Sequence, residues 1–153
     1  MAIWKIILLS MLPVSELRGA IPLAIASGIS PINAFLIAVI ANALIVPILF
    51  FFLDTLHKHF YMIKYYRIPF DRYIERTRKK FENHAGTKLE YFFLFLFVAV
   101  PLPMTGAYTG TLIAWLFNMQ RRKSSAMIIL GVLAAGIITT LVTVGIKSII
   151  SIF

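Results

Sequence analysis

The stretch PVSELRGAIP (residues 13–22) places a glutamate, an arginine and two prolines in the middle of the otherwise apolar segment 2–28. A second stretch, PLPMTGAYTG (residues 101–110), interrupts the apolar segment 89–119 in a similar way. A continuous spanning helix would leave backbone groups unsatisfied in lipid at such breaks, whereas a broken helix is tolerated where protein or water covers it. The sequence therefore predicts two re-entrant helical hairpins.

The composition of the chain excludes a soluble protein. Of its 153 residues, 60% are hydrophobic and 14% are charged, against an apolar share of about 45–50% in soluble domains. Residues 32–53 and 124–152 are almost free of charge, and each is long enough to cross a bilayer, which takes about 20 helical residues. We predict an all-α integral membrane protein, with residues 1–153 as a single membrane domain.

The two halves of the chain follow the same order. Placing Pro13 on Pro103, an offset of ninety residues, aligns residues 1–53 with residues 89–153. Each half is then a hairpin followed by one spanning helix, and an odd number of crossings inverts the second half relative to the first. The predicted fold is an inverted repeat, joined by a connector over residues 54–88.

The net charge of +9 lies mainly between the apolar runs, in the connector and in Arg121-Arg122-Lys123. The interrupted hairpins predict the connector in the cytoplasm and both termini outside, which the positive-inside rule favours only by a narrow charge count; four complete spans, with the termini inside, are the alternative. Within the connector, apolar and basic residues alternate with helical spacing, which predicts an amphipathic helix whose basic face meets anionic lipid headgroups. Binding to nucleic acid is not expected.

The breaks contain the candidate functional residues. A charge at bilayer depth costs about 2.5–3.5 kcal/mol, so Glu16 and Arg18 need a reason to be there. One interpretation is that Glu16 binds a proton or a cation and Arg18 an anionic group; the other is a closed structural pair. Thr105, Tyr108 and Thr109 either line a substrate site or form interhelical hydrogen bonds. The same two alternatives apply to Asn42, which lies inside the first span.

Prolines and glycines are expected to form the hairpin turns: Pro13, Gly19, Pro22, Pro101, Pro103, Gly106 and Gly110. Gly131, Ala135 and Gly136 give the second span a small-residue face for close helix packing. The chain has no cysteine and no recognisable zinc, phosphate-loop or nucleophile motif. We therefore expect no metal, no cofactor and no enzymatic activity.

The motifs SELRGAIPLAI (residues 15–25) and PLPMTGAYTGTLIA (residues 101–114) resemble the signatures of the small multidrug export proteins, a prokaryotic family distantly similar to the DedA group. The resemblance implies export. The similarity to DedA implies facing re-entrant hairpins, proton-linked transport and lipid-like substrates such as polyprenyl phosphates. Of the ionisable residues associated with the DedA group, only Glu16 and Arg18 have counterparts in this sequence. Residues 105–109, with Thr105 and Thr109, stand where that group has a second charged site.

Together these features predict a multi-pass protein of a prokaryotic cell membrane that acts as a secondary transporter of a drug-like or lipid-like amphipathic molecule. We expect proton linkage, a midplane site between the hairpins, and a homodimer. The alternatives are a polyprenyl-phosphate or phospholipid flippase or scramblase, and a membrane scaffold that transports nothing. One glutamine and four asparagines fit a heat-adapted source.

Overall fold

The computed structural model describes residues 3–13, 15–57, 62–81, 89–101 and 105–150, and every regular element in this part of the chain is a helix. The predicted all-α class is confirmed. Pro103 and the connector residues 58–61 and 82–88 lie outside the described residues. The helices are α1 (Ile3–Met11), α2 (Glu16–Ala26), α3 (Pro31–Phe51, continued by a π-helical turn over Phe52–Leu56), α4 (Lys64–Phe81), α5 (Glu90–Ala99), α6 (Ala107–Leu116) and α7 (Arg121–Ile150).

Two of the described helices are long and apolar enough to cross a bilayer. They cover Pro31–Leu56, with 26 residues, and Arg121–Ile149, with 29 residues. These helices agree with the predicted spans 32–53 and 124–152, apart from a shift of a few residues at the ends. Ser30 caps α3 by accepting a hydrogen bond from the Asn33 N–H at 3.4 Å, and Pro31 occupies the first turn, where its missing N–H costs nothing.

The apolar segments 2–28 and 89–119 are each divided into two short helices, α1 with α2 and α5 with α6. These helices have 9 to 11 residues, so each is about 14–17 Å long, roughly half of a bilayer core of about 30 Å. Within each segment the two short helices pack against each other. The predicted breaks at the polar stretches are therefore present in the fold.

Helix boundaries in the two halves are ninety residues apart, as the sequence alignment predicts. Helix α2 ends at 26 and α6 at 116, while α3 begins at 31 and α7 at 121. The left-handed residues that follow α2 and α6 obey the same offset, since they are Gly28 (φ 88°) and Asn118 (φ 51°). Glycine and asparagine are the residues that adopt this conformation most readily.

Helices α3 and α7 pack antiparallel. Asp54 and Arg121 form an ion pair at the end of the bundle next to the connector, with Arg121 Nη2 at 2.7 Å from Asp54 Oδ1. Farther along, a Cβ added at Gly136 would lie 2.8 Å from Val39 Cγ2 of α3. A Cβ added at Gly131 would lie 2.7 Å from Val98 Cβ of α5. The predicted small-residue face of α7 is therefore confirmed.

The connector contains the predicted amphipathic helix, α4, and this helix packs on α6. Thr77 on its inner side is buried, with 2% of its surface exposed. Arg72, Arg76 and Lys79 are exposed on the opposite side. The apolar side of α4 thus contacts protein, which leaves the basic side available to other partners.

Candidate functional site

Asn42 fixes the depth of the first break. Its side-chain Nδ2 donates to the Ser10 carbonyl, in the last turn of α1, at 3.0 Å. Asn42 is fully buried near the centre of α3. The end of α1 therefore lies level with the middle of a helix that is long enough to span a bilayer.

Two more carbonyl groups at the end of α1 have side-chain donors, which a helix end away from water needs. The Ser15 hydroxyl donates to the Leu9 carbonyl at 2.7 Å. The Tyr108 hydroxyl, from the second half of the chain, donates to the Met11 carbonyl. Asn42, Ser15 and Tyr108 together supply donors to three carbonyl groups of this break, whereas the Ser10 hydroxyl and the Asn42 Oδ1 are buried without a partner among the described residues.

Glu16 lies against the beginning of α6. Its carboxylate Oε1 accepts from the Tyr108 N–H at 3.5 Å, and only 5% of the residue is exposed. A Cβ added at Gly106, the residue before α6, would overlap the carboxylate. A carboxylate near the N-terminus of a helix is stabilised by the unpaired N–H groups and the helix dipole.

Arg18 binds the end of α5. Its Nη2 donates to the Val100 carbonyl at 3.2 Å and to the Thr105 hydroxyl at 3.1 Å, and it approaches the Val98 carbonyl at 3.5 Å. A cation is favoured at the C-terminus of a helix, where carbonyl groups lack partners. The Arg18 Nε is buried and has no hydrogen-bond partner in the structure.

Glu16 and Arg18 therefore contact opposite ends of the second break. Within the described residues the ion pairs closer than 4.0 Å are Arg67 with Asp71 and Arg121 with Asp54, and neither includes Glu16 or Arg18. The geometry differs from a closed Glu16–Arg18 pair. Each charge compensates a helix end of the other half of the chain.

Thr109 contacts the connector helix α4. Its hydroxyl is hydrogen-bonded to the Tyr73 hydroxyl of α4, and Thr109 is buried. From the sequence, Tyr73 is predicted on the apolar side of α4 and nothing more. Its hydrogen bond to Thr109 was not predicted. The signal available in the sequence is its hydroxyl, a polar group on a side that is otherwise mostly apolar.

The predicted turn residues fall into two groups. Pro13 and Pro101 lie in the breaks and Gly106 is the N-cap of α6, whereas Pro103 lies outside the described residues. Gly19, Pro22 and Gly110 lie inside helices rather than in turns. At Gly110 the glycine permits close packing, because a Cβ there would lie 2.6 Å from Val98 Cγ2.

Two cavities flank the breaks. The Arg18 cavity, of ≈ 410 Å³, is lined by Arg18, Pro22, Pro101, Ile138, Thr139, Val142, Thr143 and Ile146. The Tyr108 cavity, of ≈ 400 Å³, is lined by Pro13, Leu49, Phe52, Leu53, Phe70, Tyr73, Tyr108 and Leu112. The Tyr108 cavity is near the connector end, since its α3 residues lie within two turns of Asp54. The α7 residues of the Arg18 cavity begin about 26 Å from Arg121, so that cavity lies toward the opposite end.

The ninety-residue offset relates the two cavities. It pairs five lining residues of one cavity with five of the other: 18 with 108, 22 with 112, 49 with 139, 52 with 142 and 53 with 143. The cavities differ in two respects. Arg18 supplies a guanidinium where Tyr108 supplies a phenol, and Phe70 and Tyr73 of α4 cover only the Tyr108 cavity.

The fold and the apolar helices define an α-helical membrane protein. A family model described as "Putative small multi-drug export protein" matches residues 16–138, which is well over half of the chain, so the chain belongs to this family. The matched region begins at Glu16 and includes both breaks. No curated protein and no solved structure matches the chain significantly, and the similarity to DedA proteins is not shown. Within the described residues, no group of three acidic, histidine or cysteine side chains could hold a metal ion.

Proposed function

We propose that this protein is a secondary transporter, rather than an enzyme, that exports an amphipathic molecule across the cell membrane of a prokaryote. The observation that carries the proposal is the pair of repeat-related cavities toward opposite ends of the bundle, one lined by Arg18 and the other by Tyr108, whose N–H approaches the buried Glu16. In transporters with inverted repeats, the substrate site lies near the midplane at the repeat interface, and access alternates between its two sides.

The proposal includes the re-entrant hairpins and the inverted repeat. It is supported by the half-length helices, by the depth that Asn42 gives to the first break, and by the shared ninety-residue offset. The antiparallel packing of α3 and α7 places Arg121 and the start of the connector at one end of the bundle. With that end in the cytoplasm, the basic side of α4 faces anionic headgroups, as the positive-inside rule favours.

Glu16 is the proposed proton site. Its carboxylate is buried, and it approaches Tyr108, which lines one of the two cavities. Carboxylates inside a membrane domain are commonly part of ion or proton pathways. Because the same carboxylate caps α6, a change in its charge would alter the contact between the two breaks.

Transport in proteoliposomes with and without a pH gradient tests the proposal. We expect gradient-driven export of an amphipathic dye by the native chain, and loss of its gradient dependence in Glu16→Gln. Glu75→Gln, which removes an exposed acid of α4, is the matched control and should keep the dependence.

The same vesicles test the two alternatives. A scramblase or flippase without ion coupling, favoured by the half-exposed apolar side chains of Val142 and Ile146 beside the Arg18 cavity, would move labelled lipid without the gradient. A scaffold would move neither dye nor lipid. Either result would contradict proton-linked export.

Topology is tested by adding single cysteines to a chain that has none. We expect a cysteine at Arg122 to be labelled from the cytoplasm, together with one at Arg78, and cysteines at both termini to be labelled from outside. Cytoplasmic termini with an external residue 122 would contradict the inverted repeat. The proposed homodimer is tested on the same samples by the mass of the protein in nanodiscs.

A further inference from the structure

The Arg18 cavity contains one charged side chain in an apolar chamber. Among its described lining residues, Arg18 is the only ionisable group, and none is acidic. The hydroxyls of Thr139 and Thr143 donate to helix carbonyls, at 2.8 Å to Ala135 and at 2.7 Å to Thr139. Arg18 is thus left as the donor within the cavity.

The guanidinium has unused donors. All the hydrogen bonds that the structure gives to Arg18 come from Nη2, and its Nε is without a partner. A guanidinium carries five N–H donors. Among the described residues the structure gives Nη1 no hydrogen bond, and Nη1 is not among the atoms shielded from solvent, so it remains for a ligand. A charged N–H donor forms its strongest hydrogen bonds with an anionic oxygen, so an anion is the ligand that Nη1 favours.

The chamber beside Arg18 has the dimensions of a small ligand. Its volume of ≈ 410 Å³ lies in the lower part of the range of about 300–1,000 Å³ for small-molecule sites. From Ile138 to Ile146 the α7 wall extends about 12 Å. These dimensions suit one alkyl chain or one aromatic body rather than the two acyl chains of a phospholipid.

We infer that the Arg18 cavity binds a single-chain anionic amphiphile, with its acid group on the Arg18 guanidinium and its apolar body along α7. This inference deepens the proposed function by giving the sign of the substrate's charge. A cationic drug would meet the Arg18 guanidinium in a cavity whose described lining has no acidic side chain. The Tyr108 cavity likewise has no acidic residue among its described lining.

Photocrosslinking of the full chain in nanodiscs of zwitterionic lipid tests the inference. The probes are two twelve-carbon chains with the same terminal diazirine, one ending in a sulfonate and the other in a trimethylammonium. We expect the sulfonate probe to label residues 138–146 saturably, and the ammonium probe to label them at least about tenfold less, since charged hydrogen bonds commonly contribute this much. Equal labelling by the two probes would overturn the inference.

Three variants locate the site. Arg18→Gln should lower sulfonate labelling at least about tenfold, whereas Arg122→Gln, which removes one exposed positive charge outside the cavity, should leave it unchanged. Because Arg18 also caps α5, Val142→Trp provides a second approach: it fills the chamber while keeping the contacts of Arg18, and it should lower labelling as well. Labelling of residues 138–146 that survives Val142→Trp would overturn the inference.

Further results distinguish a single-chain ligand from a phospholipid, and the anion site from the proposed transport function. Addition of an anionic phospholipid to the nanodiscs should leave sulfonate labelling unchanged, and competition by that lipid would contradict a single-chain ligand. Saturable sulfonate labelling without gradient-driven transport would support the site and contradict the proposed function. Gradient-driven export together with equal labelling by the two probes would support the proposed function and contradict the anion site.

Discussion

The carboxylate of Glu16 fills the space that a side chain at Gly106 would occupy. The two residues hold equivalent positions in the ninety-residue alignment of the halves. Where equivalent positions meet, there is room for one long side chain. The first half supplies a glutamate and the second half supplies a glycine, so the contact between the breaks is asymmetric.

Gly106→Ala should displace the Glu16 carboxylate from the start of α6. Overpacking of this kind commonly costs about 1–3 kcal/mol, so we expect a clear fall in the melting temperature of the protein in nanodiscs. Gly145→Ala is the matched control, because a Cβ at Gly145 meets nothing within 4 Å. That control should be neutral or slightly stabilising, since alanine favours a helix more than glycine does.

A second change identifies the cause of the loss. Glu16→Gly combined with Gly106→Ala removes the carboxylate and also the positive φ of 46° at Glu16, which glycine adopts without strain. The double variant should recover the stability that Gly106→Ala loses through its clash with the Glu16 carboxylate. If Gly106→Ala melts like the native chain, the close contact between the two breaks is wrong.

A double-mutant cycle on Glu16→Gln and Arg18→Met distinguishes two helix-end contacts from a closed pair. Each single change weakens a different contact, with α6 or with α5, and each should cost about 1–3 kcal/mol. Because the two side chains bond different helices and share no hydrogen bond, the coupling energy in thermal unfolding should stay well below the loss of about 3–5 kcal/mol that follows when a closed buried pair is broken. Recovery of native stability and transport in the double variant would instead assign Glu16 and Arg18 to a structural pair.

Tyr73→Phe should loosen α4 from α6 without removing its ring. The variant deletes the hydroxyl bonded to Thr109, a contribution of about 0.5–1.5 kcal/mol. We expect faster hydrogen exchange of the α4 amides, measured by mass spectrometry. Tyr65→Phe, at a position that is 93% exposed, should leave the exchange rate unchanged. Equal exchange in the two variants would show that the hydroxyl pair does not anchor the helix.

The titration of His57, at the start of the connector, should make the stability of the protein depend on pH. Its ring lies 4.4 Å from that of Phe70 and 5.4 Å from that of Trp115 between centroids, and burial lowers its pKa below 6.5, with Asp71 partly opposing the shift. The unfolded chain then binds the proton more readily than the folded chain does. Stability should therefore fall as the pH decreases through 6.5, and level off below the pKa of the folded state.

Thermal unfolding between pH 5 and pH 8 measures this dependence, with His57→Gln as the comparison. The substitution should flatten the part of the slope that His57 contributes, whatever it does to the stability at pH 8. A slope that is unchanged in His57→Gln would show that the histidine titrates alike in the folded and unfolded chains.

Local sequence determines the helices and their ends. Uninterrupted apolar runs define α3 and α7, while prolines, glycines and charges mark the two breaks, because these residues act on the backbone of their own neighbourhood. The ninety-residue alignment likewise predicts the shared boundaries of α2 with α6 and of α3 with α7. For the same reason the amphipathic character of α4 could be recognised from its spacing.

Only the tertiary structure determines what the polar residues of the breaks contact. Glu16 meets α6 and Arg18 meets α5 across 80 or more residues of chain, and Thr109 meets Tyr73 of the connector. The spacing of residues along one helix gives the direction of a side chain but not the element that lies opposite. The two cavities have the same origin, since each is formed by residues of several helices. Their existence depends on how the helices pack, and packing is a property of the whole chain rather than of any segment.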